Sequence, residues 1–257
     1  MATNEIILPF VGFFIGAFGT LLGIGGGIIA VSLLLLVYSL DSKIAVGTSL
    51  VMVFFNALSG TIAYIRQKRV IFKIAVPFSI ATIPGAIGGI YLTSYVNTET
   101  FSILFGILLA LSALSLIFGK DPRKNTDVQP TNQQSCYPVN MKIGIIISFF
   151  AGLIASFFGI GGGMIHVPCM ILLLGIPVHV STATSNFILT VTGLSGATTA
   201  VLNGYANINY ALLLGAGAFA GAQVGANISL RIKGSVIIKL LALAMMLLAV
   251  KFIIKYP

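Results

Sequence analysis

Long apolar runs separated by brief polar breaks dominate this chain. Continuous apolar segments fall at about 5–22, 27–40, 44–65, 71–94 and 100–118, and again at about 142–158, 163–176, 179–202, 208–230 and 234–254. Runs of this length and continuity predict helices; a barrel would show short alternating strands. A full bilayer crossing takes about 20 residues. The first two segments of each set are shorter and meet at a run of glycines. They form either two thin spans or one re-entrant hairpin whose tip lies inside the membrane.

The two sets are copies of one pattern. Gly23-Ile24-Gly25-Gly26-Gly27 recurs as Gly159-Ile160-Gly161-Gly162-Gly163, a shift of 136 residues. The same shift pairs Thr48-Ser49 with Thr184-Ser185, Ser59-Gly60 with Ser195-Gly196, Gly85-Ala86 with Gly221-Ala222, and Gly89 with Gly225. A polar stretch around Lys120–Asn140 separates the copies. The expected organisation is a first repeat over 1–119, a linker over 120–141 and a second repeat over 142–257. Spanning or re-entrant, each repeat makes an odd net number of crossings, so the second enters the membrane upside down. The fold class expected is therefore an all-α polytopic membrane protein of two inverted repeats, with broken or re-entrant helices at the glycine runs.

Composition agrees with a bilayer as solvent. Hydrophobic residues make up 58% of the chain and charged residues only 7%, too little polar surface to clothe a soluble core. The net charge of +9 sits in the connecting loops, without a basic patch carrying interleaved aromatics, and so argues for membrane orientation rather than a nucleic-acid partner. One expected face carries Arg66, Lys68, Arg69, Lys73, Lys120, Arg123, Lys124, Lys142, Arg231 and Lys233; the other carries Lys43, Lys251 and Lys255. The basic face is expected in the cytoplasm, which puts both termini outside it. Lys239 is expected to snorkel toward the cytoplasmic interface. Met1-Ala2-Thr3-Asn4-Glu5 lacks the basic start of a cleavable signal, so the first apolar segment is expected to stay in the fold. Cys136 and Cys169 have neither metal-site spacing nor a disulfide framework, and no cofactor is implied.

Three adjacent glycines break a helix, at about 1 kcal/mol each relative to alanine. The N–H groups freed at the start of the following half-helix, with the positive end of its dipole, favour an anion. Two inverted copies would aim two such ends at one midplane site. Gly25, Gly26 and Gly27, with Gly161, Gly162 and Gly163, are therefore candidate binding positions. Close helix packing is the competing account of glycine. It is the better account of Gly85/Gly89 and of Gly217/Gly221/Gly225, whose fourfold spacing needs nothing else; such faces also suit association of two copies as a homodimer. A nucleotide P-loop is excluded, because no Gly-Lys-Ser/Thr follows and no soluble βα unit surrounds the run.

Polar residues inside the apolar segments are the next candidates. Thr48, Ser49 and Asn56, and in the second copy Thr184, Ser185 and Asn186, could complete a shell around the anion. Hydroxyls can also bond back to their own helix, and buried amides can glue helices together. His166 follows the second glycine run by three residues, in the first turn of a half-helix, while the matching position is Ala30. It could donate to the anion or sit as a satisfied buried imidazole. His179 is expected in a loop at the interface. All five acids, Glu5, Asp41, Glu99, Asp121 and Asp127, lie at segment ends or in loops. A cation substrate is thus disfavoured, and no nucleophile–base pair or metal cluster suggests an enzyme.

The duplicated Gly-Ile-Gly-Gly-Gly with its downstream Thr48-Ser49 and Thr184-Ser185 elements resembles the TauE/SafE family of sulfite and organosulfonate exporters, within the toluenesulfonate uptake permease superfamily. The likeness runs over nearly the whole chain. It implies a bacterial inner-membrane carrier of small sulfur-containing anions such as sulfite, sulfoacetate or thiosulfate, working by alternating access. An anion channel and a non-transporting membrane scaffold are the alternatives. The second motif continues Met164-Ile165-His166-Val167-Pro168 and the first Ile28-Ile29-Ala30-Val31-Ser32, so the site would be pseudo-symmetric.

Overall fold

A computed structural model describes residues 2–118, 141–232 and 234–255. The polar linker, with Lys120, Arg123, Lys124, Asp121, Asp127 and Cys136, and also Lys233, lies outside the described residues. The described residues form ten helices: α1 (Ala2–Leu22), α2 (Gly27–Leu36), α3 (Ser42–Arg66), α4 (Phe72–Thr93), α5 (Thr98–Phe118), α6 (Met141–Phe157), α7 (Gly163–Leu172), α8 (Val178–Leu202), α9 (Ile208–Ile228) and α10 (Gly234–Lys255). No strand occurs among them.

The 136-residue shift superposes the helix limits as well as the motifs. Shifted, α2 falls on α7 and α3 on α8 residue for residue. Backbone exceptions repeat too. Positive φ values occur at Gly23, Gly25 and Gly26 and again at Gly159, Gly161 and Gly162; Ser39 matches Gly175, and Lys68 matches Gly204. The helices α3, α4, α8 and α9 are long and apolar enough to cross a membrane. In contrast, α2 and α7 have 10 residues each, about 15 Å, half of such a crossing. Each ends near Val37 or Leu173, where the chain turns out of the helix.

The repeats interlock instead of standing side by side. The central pair, α3 and α8, runs antiparallel. Gly47 lies against Ala200, Gly196 against Leu50, Gly193 against Phe54 and Gly60 against Asn186. Around this pair, α1 packs parallel to α9, and α6 packs parallel to α4. In both cases glycine permits the approach. A Cβ on Gly217, Gly221 or Gly225 would strike the carbonyl oxygens of Pro9, Phe13 and Ala17; one on Gly85 or Gly89 would strike those of Phe149 and Leu153. This close backbone contact is the packing use of glycine. The partner of α5 is α10, with Phe105 edge-on to Phe252 at 5.1 Å.

The ends of these helices sort the charges. One end of the bundle gathers the C-termini of α3 and α9 and the N-termini of α4, α6 and α8, with Arg66, Lys68, Arg69, Lys73, Lys142 and Arg231. The opposite end holds the N-termini of α1, α3, α5 and α9, the C-terminus of α10, and Asp41, Lys43, Glu99 and Lys251.

Candidate functional site

The glycine runs break the chain where α1 would otherwise continue into α2, and α6 into α7. Left-handed dihedrals at the first three of the four glycines in each run explain why side chains are absent there: an L-residue loses roughly 1–2 kcal/mol in that region. The break in the first run is closed by Gly23 N–H donating to the Thr20 carbonyl at 3.0 Å and Ile24 N–H to that of Gly19 at 2.9 Å. The second repeats it, with Gly159 donating to Ser156 at 3.3 Å and Ile160 to Ala155 at 2.8 Å. Gly26 and Gly162 then cap α2 and α7. The amides of Gly26, Gly27 and Ile28, and those of Gly162, Gly163 and Met164, find no acceptor among the described residues.

The two runs lie against each other. A Cβ on Gly27 would stand 2.6 Å from the Gly159 carbonyl oxygen, and one on Gly163 would strike the Gly23 carbonyl oxygen. Val53 and its shifted counterpart Leu189 close over both. Their methyls lie 3.1 and 2.6 Å from a Cβ built on Gly25, and 2.5 and 2.7 Å from one built on Gly161. Every residue from Gly23 to Gly27 and from Gly159 to Gly163 is buried.

The Thr-Ser pairs hold this junction together. Ser49 Oγ donates to the Gly159 carbonyl at 2.9 Å, with the Gly27 carbonyl at 3.3 Å as a second acceptor. Ser185 Oγ donates to the Gly23 carbonyl at 3.1 Å. Each serine thus grips the glycine run of the other repeat. Thr48 Oγ1 accepts the Asn207 amide at 2.9 Å, and Thr184 Oγ1 accepts the Ile71 amide at 3.2 Å. Asn207 and Ile71 are the N-caps of α9 and α4, so each threonine satisfies the start of the other repeat's helix. All four side chains are fully buried.

The amides break the symmetry. Asn56 Oδ1 accepts from Thr20 Oγ1 at 3.1 Å, and its Nδ2 has no partner. Asn186 Nδ2 donates to the Thr182 carbonyl at 2.9 Å, and its Oδ1 has no partner. Gly60 joins them: a Cβ there would lie 3.1 Å from both Asn186 Oδ1 and Thr20 Oγ1. Tyr64 Oη donates to the Thr20 carbonyl at 2.8 Å. These side chains are fully buried, so two orphaned polar atoms stand in a dry setting where each costs on the order of 1–3 kcal/mol. At the positions shifted from Asn56, Thr20 and Tyr64 the second repeat places Thr192, Ser156 and Ala200, and at the position matching Asn186 the first repeat places Leu50; hydroxyls remain, but neither amide nor phenol is repeated.

His166 faces elsewhere. Its Nδ1 lies 2.9 Å from the Gly162 carbonyl, which fixes Nδ1 as the protonated nitrogen, and Nε2 lies 3.3 Å from Ser148 Oγ. The ring lines a small pocket, little larger than a water molecule, bordered by Phe78, Ser148, Cys169 and Met170. His179 belongs to the first turn of α8 and not to a loop, because Pro177 already serves as the N-cap. Thr20, Tyr64 and the Val53/Leu189 lid were not singled out by sequence pattern. Thr20 lies three residues before a glycine run, a visible cue; Val53 and Leu189 are ordinary aliphatics whose role only packing reveals.

Comparison with known proteins finds a matching family and several relatives. The family model described as "Sulfite exporter TauE/SafE" matches residues 8–252. The chain is 33% identical to "Probable membrane transporter protein YunE" of Bacillus subtilis, covering 96% of this chain and 97% of that protein. It is 28% identical to "Probable membrane transporter protein MJ0441" of Methanocaldococcus jannaschii, over 79% of this chain and 76% of that one. A third relative, "Probable membrane transporter protein" of Xylella fastidiosa, is 33% identical over 63% of this chain and 59% of its own length. No solved structure matches.

Proposed function

This chain belongs to the TauE/SafE family of membrane transporters, and we propose that its cargo is a small sulfur-containing oxyanion such as sulfite, sulfoacetate or thiosulfate. The observation that carries this reading is the pair of buried half-helix starts whose amides lack acceptors. Six N–H groups and two positive dipole ends meet at one junction, a setting that suits negative charge. In the bound state the anion separates the two runs and accepts from the amides of Gly26, Gly27, Ile28, Gly162, Gly163 and Met164. Asn56 Nδ2 supplies a further donor from the first repeat. Ser49, Ser185, Thr48 and Thr184 hold the runs in place from behind.

The two repeats act as oppositely oriented halves of an alternating-access carrier. Antiparallel α3 and α8 supply its axis, and Val53 and Leu189 supply the seal of the occluded state. The basic end of the bundle faces the cytoplasm of a bacterial inner membrane, and both termini lie on the other side. A sealed junction suits a carrier better than a channel, which needs a continuous wet path.

Proteoliposome uptake tests the reading. Gly26→Leu or Gly162→Leu, each at a left-handed glycine, should insert normally and lose sulfite and sulfoacetate flux. Flux equal to that of the unmodified protein would refute anion binding at the runs. Large single-channel currents would replace the carrier with a channel. Lack of any flux or of thermal stabilisation by these anions would leave a scaffold.

A further inference from the structure

A buried positive charge stands on one side of this junction and has no counterpart on the other. Arg69 is 5% exposed. Its Nη1 donates to Gln67 Oε1 and to Ser229 Oγ, each at 2.9 Å, and its Nη2 to the His179 carbonyl at 2.8 Å. The guanidinium carbon sits 4.8 Å from the centre of the Tyr64 ring. No carboxylate pairs with it among the described residues; Asp41 and Glu99 are at the opposite end of the bundle. Burying a cation against neutral acceptors alone leaves its charge uncompensated, a cost of several kcal/mol before relaxation.

Structural tying does not require that charge. The same turn is built in the second repeat without it. Arg69 N–H donates to the Tyr64 carbonyl at 3.1 Å, and Tyr205, at the shifted position, donates to that of Ala200 at 2.8 Å. Lys68 and Gly204 share the left-handed dihedral. Gln67 and Asn203 repeat the preceding bond, to Ala63 and Thr199. The backbone therefore closes identically over a tyrosine. The charge is an addition of the first repeat.

Polar groups continue inward from it. The Tyr64 ring under the guanidinium sends its hydroxyl to the carbonyl of Thr20, three residues before the first glycine run; Thr20 Oγ1 bonds Asn56, and Asn56 Nδ2 is left without a partner. The equivalent approach to the second run has no charge and no such line: Tyr205 and Ala200 stand where Arg69 and Tyr64 do, and the hydroxyls of Ser156 and Thr192 are not joined to them. Just before the second run Phe158 packs tilted against Phe101 and Phe105 and edge-on to Phe157, at centroid distances of 5.5, 5.6 and 4.7 Å.

We propose that Arg69 is the charge-recognition site for the oxyanion, serving the approach from the basic end of the bundle alone. The incoming anion takes the Nη1 donors now shared by the neutral Gln67 and Ser229 oxygens and is then passed along the Tyr64–Thr20–Asn56 line to the glycine junction. A planar guanidinium with parallel donors suits a sulfonate or sulfite group. This inference rests on the anion-transport reading above.

Initial rates of radiolabelled sulfite uptake into proteoliposomes test it. Arg69→Gln should raise KM about tenfold or more, and Arg69→Lys should restore part of it, since a hydrogen-bonded charge is lost and then replaced without the fork. Lys68→Gln removes an exposed neighbouring charge and should change KM less than about twofold. Ser229→Ala deletes a competing acceptor and should lower KM by about two- to fivefold, an effect that a mere tie between helices would not produce. Should Arg69→Gln fail to insert, the Ser229→Ala result decides. An unchanged KM in Ser229→Ala, or in a correctly inserted Arg69→Gln, overturns the role of Arg69 while leaving transport intact. Absence of sulfite, sulfoacetate and thiosulfate flux in the unmodified protein would overturn the transport reading, and this inference with it.

Discussion

Alanine at Gly27 should destabilise the protein, although alanine in a helix ordinarily does the opposite. Gly27 opens α2 with an ordinary helical dihedral, so local propensity favours Gly27→Ala by about 1 kcal/mol. Across the junction, however, the new Cβ would lie 2.6 Å from the Gly159 oxygen, 2.7 Å from Ile160 Cα and 3.0 Å from the Ile160 carbonyl carbon. All three are backbone atoms and cannot rotate away. Restoring ordinary contact needs a retreat of about 0.7 Å by the second run, and overpacking of this kind costs about 1–3 kcal/mol. The same retreat stretches the Ser49–Gly159 bond from 2.9 Å toward the limit of a hydrogen bond and forfeits about 1 kcal/mol more. The net is a loss of about 2 kcal/mol, or a Tm lower by about 4–8 °C for a chain of this size. Gly88→Ala is the control, because nothing lies within 4 Å of its Cβ. It should raise Tm by about 2–4 °C through propensity alone. Circular dichroism melts of the two detergent-solubilised variants read the difference. A Gly27→Ala protein that melts with or above the unmodified one would refute the direct contact of the two runs.

Three other outcomes are expected. Ser49→Ala and Ser185→Ala should each cost about 1–3 kcal/mol by leaving a glycine carbonyl unpaired, and the double variant should deviate from additivity because both bonds hold one junction; chemical-denaturation cycles measure this. Asn186→Leu installs the residue that the first repeat carries at position 50 and removes a half-satisfied amide. Its Tm should match or exceed that of the unmodified protein while sulfite flux falls, and a fall in Tm alone would make Asn186 a structural amide. Single cysteines placed at Lys68 and at Asp41 in a background lacking Cys136 and Cys169 should react with impermeant reagents from opposite faces, Lys68 from the cytoplasm; reversed labelling would refute the orientation.

Much of this arrangement was legible in the chain. The segment limits read from apolar runs lie within a few residues of the helices, and the helix breaks fall on the predicted glycines. Gly217, Gly221 and Gly225 do pack helix on helix. The roles of individual polar residues were less legible. Thr48 and Ser49 read as one matched pair, yet one serves the start of α9 and the other a glycine carbonyl. Arg69 read as one more loop charge beside Arg66 and Lys68, and packing alone separates it from them: those two are exposed and Arg69 is buried.

Sequence by itself determined what is local or periodic: membrane solvent, helical segments, the duplication and its breaks. Those follow from per-residue transfer energies and from the backbone freedom of glycine, which act within a few neighbours. Tertiary structure decided which hydroxyls are bonded, which amides remain open and which charge is enclosed. Ser49 meets Gly159 and Arg69 meets His179 across 110 residues of chain, so the partner that settles each role lies on the other repeat.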